Sequence, residues 1–100
     1  MAAVDTQIDE KVSIKVEPPK MWKVVFLNDD HTPMEFVIDV LMHIFHHDAK
    51  RSHELTRQVH EKGSAVVGIY TYESAEQKGI ETSALAKQAG YPLHVKVEAE

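Results

Sequence analysis

Lys23-Val24-Val25-Phe26-Leu27-Asn28-Asp29-Asp30-His31-Thr32-Pro33-Met34-Glu35-Phe36-Val37-Ile38 is the stretch from which the rest of the chain is read. Val24 to Leu27 form a continuous apolar run of strand formers, so the segment opens as a strand. Three small polar acceptors, Asn28, Asp29 and Asp30, stop it. A helix is expected immediately afterwards, with Thr32 as N-cap, Pro33 at the first helical position and Glu35 closing a capping box. A short strand-to-helix connection therefore carries a cluster of oxygens, with apolar Met34 and Val37 just beyond. Acceptors beside an apolar lining suit a ligand with a cationic head and a hydrophobic body, such as a free α-amino terminus followed by a large apolar side chain. From the residues alone an Asx-turn explains Asn28 and Asp30 equally well, because Asn and Asp dominate turns.

Downstream of this segment, Val37, Val40, Leu41, Ile44 and Phe45 recur at helical spacing and predict a helix from about Pro33 to His46 or His47. Asp48 can cap a second helix that ends near Lys62, with Gly63 at C′. Its apolar stripe is thin, Leu55 and Val59, with Ala49 and Ser52 closing against neighbours. Ala65 to Tyr72 predicts a second strand, and Thr71 or Tyr72 opens a third helix through about Gln88 that Gly90-Tyr91-Pro92 ends. Leu93, Val95 and Val97 alternate with His94, Lys96 and Glu98 as a half-buried last strand. The expected fold is α+β, a βααβαβ sandwich with a small three-stranded antiparallel sheet packed against three helices. Residues 1–20 are expected to form a flexible extension ahead of a core spanning 21–100, although Val12, Ile14 and Val16 alternate as a weak edge strand would.

Composition narrows the function. One hundred residues allow one small domain, without room for a two-domain enzyme and its cleft. A net charge of −5, with acids spread along the chain, argues against nucleic-acid binding, which needs a basic face. Zero cysteines exclude a disulfide framework and any thiolate nucleophile or metal ligand. No apolar run approaches the ~18 residues of a membrane span, and the N-terminus lacks the basic and apolar regions of a signal peptide. The expectation is a cytoplasmic monomer that binds neither membrane nor cofactor. Seven histidines are many for this length. His43 and His47 stand i,i+4 with His46 adjacent, but no carboxylate or cysteine completes a metal set, so they are taken as surface residues.

The run Asn28 to Val37 resembles the hallmark segment of the ClpS family, adaptors that bring N-end-rule substrates to the Clp protease. Further pieces fall in the same order: Val59-His60, Gly63 to Ala65, Gly68-Ile69-Tyr70-Thr71, Glu73, Ala75-Glu76, Lys78 and Pro92-Leu93. The resemblance covers residues 21–98 and is far more specific than a short pattern. It implies that Asn28, Asp29, Asp30 and His60 bind a substrate's α-amino group. An ammonium has three donors and no acceptor, so such a site must offer acceptors, which carbonyl, carboxylate and neutral imidazole do. The resemblance also implies that Met34, Val37, Val59 and Leu93, with Thr32 at the rim, line a side-chain pocket that rejects β-branched first residues. Thr71, Glu73 and Lys78 would dock on the N-terminal domain of a ClpA- or ClpC-type AAA+ unfoldase, and the N-terminal extension would engage the same partner. Thr56 departs from the pattern, because family members usually carry Met there. A smaller polar residue widens or wets one wall, which predicts weaker preference for Leu than for aromatics.

These expectations define a non-catalytic adaptor for N-degron peptides that begin with Phe, Tyr, Trp or Leu. Hydrogen bonds to the ammonium contribute about 1.5–3 kcal/mol each. Burying the side chain adds about 2–4 kcal/mol. Offset by association entropy, the affinity comes out at about micromolar. The alternative is a docking-only module that binds the unfoldase and redirects its substrate choice without reading N-termini. A small hydrolase using Asp29 or Asp30 with His60 lacks a nucleophile partner and an oxyanion device.

Overall fold

A computed structural model describes residues 17–100. Its elements run β1 (Met21–Leu27), α1 (Met34–His43), α2 (Ala49–Lys62), β2 (Ser64–Thr71), α3 (Tyr72–Ala89) and β3 (His94–Ala99), the expected βααβαβ order. Residues 17–20 precede β1 without regular structure and are exposed. The remainder of the expected extension, with Val12, Ile14 and Val16, lies outside the described residues.

The apolar run of β1 explains its place. It is the central strand, in the order β2-β1-β3, and antiparallel to both neighbours. Val24 and Phe26 are fully buried and stand on one face of the pleat. They join Val37, Val40 and Leu41 of α1, Leu55 and Val59 of α2, and Ala75 and Ala86 of α3 in one core, so the three helices share one layer over that face. Each large side chain buried there, such as Phe26, Leu41 or Leu55, contributes about 1.5–3 kcal/mol. Phe45 closes the core edge-to-face on Phe26, with ring centroids 5.5 Å apart. Across the opposite face Glu98 pairs with Lys96 at 3.4 Å and with Lys23 at 4.0 Å. A bulge interrupts the β1–β2 ladder: Val24 faces Gly68 while Val25 faces Val66, leaving Val67 as the extra residue. Gly68 has a packing reason, since a Cβ there would meet the Tyr70 ring at 2.5 Å.

The expected ends of α2 and α3 hold, α3 opening at Tyr72 after Thr71 and ending at Gly90. Asp48 caps α2, its carboxylate accepting from Arg51 N at 2.7 Å, and Gly63 ends the helix in the left-handed region at φ 91°. Others differ. Helix α1 begins at Met34 with Pro33 as N-cap and has no side-chain cap, because the Thr32 hydroxyl donates to Asp29 instead. The capping box with Glu35 does not form. At its other end α1 stops at His43 rather than His46 or His47: His46 adopts φ 60°, and His47 N turns back to the Leu41 carbonyl at 3.0 Å. Ala49 is exposed, whereas Ser52 is fully buried.

The histidines depart from a plain surface role as well. His47 is half-buried, and its Nε2 lies 2.6 Å from the Val67 carbonyl oxygen. A carbonyl only accepts, so this nitrogen carries the proton and donates. His43 donates likewise to the Asp39 carbonyl from Nδ1 at 2.8 Å. Among the described residues no group of three or more His, Cys, Asp or Glu could hold a metal ion, and no helix is long and apolar enough to cross a membrane.

Candidate functional site

The end of β1 and the end of α2 meet where Asn28 N donates to the Gly63 carbonyl at 2.9 Å. Asn28 begins the polar connection to α1, and Gly63 follows His60 by three residues. This one backbone bond sets the oxygen-rich loop beside the imidazole.

The loop owes its shape to Asp29. One carboxylate oxygen accepts from His31 N at 2.8 Å and Thr32 N at 2.7 Å, and the other accepts from the Thr32 hydroxyl at 2.8 Å. Partial burial pushes the Asp29 pKa up, but these bonds from the His31 amide, the Thr32 hydroxyl and the Thr32 amide outweigh it. The net result is a carboxyl held below its ordinary value. The Asx-turn that the sequence reading offered for Asn28 and Asp30 is made by Asp29 instead. Asn28 and Asp30 flank it, exposed. Among the described residues no group hydrogen-bonds their side chains or that of His60.

Beneath these acceptors lies a cavity of about 330 Å³, at the small end of the range that ligand sites occupy. All ten residues expected for the α-amino site and the side-chain pocket line it. Asn28, Asp29, Asp30 and His60 supply the polar part, while Val37, Val59 and Leu93 give buried apolar wall. Thr32 is half-buried, and Met34, 44% exposed, stands at the rim. Thr56 is 2% exposed and joins the wall from the middle of α2. Two lining residues were not anticipated, Leu27 and Pro33. The signal for both was adjacency: Leu27 precedes Asn28, and Pro33 separates Thr32 from Met34.

The cavity can hold a compact apolar group while acceptors at its edge meet a donor-rich cation.

A family model described as the ATP-dependent Clp protease adaptor protein ClpS matches residues 17–96. The chain belongs to the ClpS family. Family members are adaptor proteins of the ATP-dependent Clp protease, and an adaptor is not an enzyme. The ClpS protein of Sodalis glossinidius is 47% identical over 90 residues, covering 90% of this chain and 85% of that one. That of Leptothrix cholodnii is 44% identical over 91 residues, covering 91% and 79%. Among solved structures, Agrobacterium tumefaciens ClpS2 bound to L-phenylalaninamide superposes with a TM-score of 0.80 at 41% identity, covering 83% of this chain and all of that one.

The residues expected to meet the unfoldase lie elsewhere, at the β2–α3 corner. Thr71 is the exposed N-cap of α3 and makes no side-chain cap bond. Glu73, in the first turn, lines a shallow depression with Glu76, Lys78 and Glu81. Lys78 does not present a solvated amine as an exposed lysine would. Its Nζ donates to the Ile44 carbonyl at 2.8 Å and stands 5.3 Å from the Tyr70 ring centroid and 5.8 Å from that of Phe45.

Proposed function

We propose that this chain binds the free α-amino terminus of proteins that begin with Phe, Tyr, Trp or Leu. It then delivers them to a ClpA- or ClpC-type AAA+ unfoldase and its ClpP protease. One observation carries the reading: three acceptors without partners among the described residues, on Asn28, Asp30 and His60, stand at the edge of a single apolar-walled cavity. A primary ammonium can donate to all three, and the side chain that follows it enters between Val37, Val59 and Leu93. L-phenylalaninamide, the molecule on the Agrobacterium relative, combines a free α-amine with a benzyl side chain, and so supports the same ligand class here. Asp29 acts in this reading as a positioning residue that holds Asn28 and Asp30 apart. Glu73 and Thr71 offer the unfoldase an exposed surface at the far end of the sheet from the acceptors, since Thr71 faces Met21 while Leu27, next to Asn28, faces Ser64, so both partners can be held at once. In this reading the chain works as a monomer in the cytoplasm.

The test is fluorescence anisotropy of a labelled peptide beginning with Phe, beside its N-acetylated form and a version beginning with Val. Binding near micromolar by the first alone supports both the amine acceptors and the side-chain cavity. Equal weak binding by all three would leave the docking-only module as the better description.

A further inference from the structure

β3 lies at one edge of the sheet, and among the described residues nothing pairs with its outer side. Glu100 N donates to the Met21 carbonyl at 3.0 Å, which fixes the alternation along the strand. Counting back by twos, His94, Lys96 and Glu98 also turn their amides and carbonyls toward β1. Those of Val95, Val97 and Ala99 therefore point outward, without partners among the described residues. Proteins commonly blunt such an edge with a bulge, a proline or a covering segment. The other edge strand is treated so: Val67 of β2 is bulged, and its carbonyl is taken by the His47 ring. β3 has an unbroken register and no proline. Beneath it Ile80 of α3 is 57% exposed and shares a shallow apolar depression with Gly79, Val95 and Val97.

The order of side chains along β3 says what fits there. Val95 and Val97 pack toward the core, so His94, Lys96 and Glu98 stand on the open face of the sheet. A second copy's β3 can pair antiparallel with this one so that Val97 faces Val97. The outward groups then match, Val97 bonding Val97 and each Val95 bonding Ala99 of the other copy. Lys96 of each copy stands opposite Glu98 of the other, in the closer pairs that make no backbone bonds, and His94 stands opposite Glu100. The neighbouring registers that keep the backbone bonds set Lys96 against Lys96 or Glu98 against Glu98, which is unfavourable. One alignment satisfies backbone and charge together.

We propose that β3 is a self-pairing edge, through which two copies of this chain form a two-fold symmetric pair with one continuous sheet. Each copy lays its Val97 beside the Val97 and Ile80 of the other. The contact is small, so the pair is weak and reversible and forms where the protein is concentrated. The monomer of the adaptor reading is its dissociated form.

The experiment is sedimentation equilibrium of the full chain from micromolar to millimolar concentration, on the wild type, Lys96→Glu, Glu98→Lys and the double reversal. Both side chains lie at the surface, and circular dichroism checks that each variant is folded. The wild type is expected to approach twice its monomer mass as concentration rises. Each single reversal is expected to weaken association about tenfold, because like charges then oppose at both symmetry-related places, and the double reversal to restore it. A wild type that stays monomeric throughout overturns the proposal, as does association that either single reversal leaves unchanged. A double reversal that associates as weakly as the singles overturns it too. So does a monomer whose Val95, Val97 and Ala99 amides resist hydrogen exchange, since residues 1–16 of the same chain would then hold the edge.

Discussion

Lys78 links two parts of the chain separated by 34 residues, and removing it should be felt as lost stability. Lys78→Ala deletes the hydrogen bond from Nζ to the Ile44 carbonyl, a charge-assisted bond of about 1.5–3 kcal/mol. It also removes a cation from beside the Tyr70 and Phe45 rings, each contact contributing about 0.5–1 kcal/mol at a partly exposed site. The three contacts share one ammonium and do not add in full, so about 2–4 kcal/mol is expected in total. For a domain held together by about 5–15 kcal/mol, this lowers Tm by roughly 8–30 °C. Lys78→Met loses the same ammonium contacts and regains only a sulfur–ring contact of about 0.3–1.5 kcal/mol, so its loss should be smaller by that amount. Thermal and urea denaturation followed by circular dichroism measure both variants. A Tm for Lys78→Ala within about 3 °C of wild type would refute the reasoning, since the bond to Ile44 would then contribute nothing net. The result also bears on unfoldase docking, because binding lost in Lys78→Ala but kept in Lys78→Met reports folding rather than contact.

Asp30→Ala should leave Tm within a degree or two of wild type yet abolish binding of a free-amine peptide, whereas Asp29→Ala should lower stability by about 1–3 kcal/mol by leaving its amide and hydroxyl donors without their acceptor. Melting curves and anisotropy on both variants distinguish the two carboxylates. Because the Asp29 carboxyl titrates below its unfolded value, the stability it contributes is present above about pH 4 and is lost as pH falls through the lower folded value; the acid limb of stability against pH should be shallower in Asp29→Asn. Gly63→Ala should cost about 1–2 kcal/mol in urea unfolding from its positive φ alone, since nothing lies within 4 Å of the added Cβ, and Gly63→Asn should cost less. Thr56→Val should raise stability by about 1 kcal/mol, seen as a higher urea midpoint, because it removes a buried hydroxyl that has no partner among the described residues.

Local chemistry wrote the parts of the fold that could be read directly. Asp48 and Gly63 bound α2 because a carboxylate cap and a left-handed terminus act within a few residues. The apolar run of β1 predicted a strand, and its burial follows from its central place in the sheet. Where two local solutions competed, the pattern misled. Thr32 could cap α1 or bond Asp29, and the carboxylate three residues earlier won because it accepts from two amides as well. The end of α1 and the inward turn of Lys78 and His47 were not legible. They depend on the Ile44 and Val67 carbonyls, distant in sequence, finding donors. The acceptors and the cavity wall emerged from motif order rather than periodicity. What the motif left out was the state of each oxygen: those of Asp29 occupied, those of Asn28 and Asp30, and the buried one of Thr56, without partners among the described residues.

The bond from Asn28 N to the Gly63 carbonyl also has a kinetic consequence. A cleft whose two walls are already fastened to each other has little left to order when a ligand arrives. Capture should then be a single bimolecular step of about 10⁵–10⁷ M⁻¹s⁻¹, nearly the same for every first residue that fits. Discrimination between N-termini would appear in residence time. Acceptable ends would be held long enough for handover, and poor ones released before the unfoldase takes them.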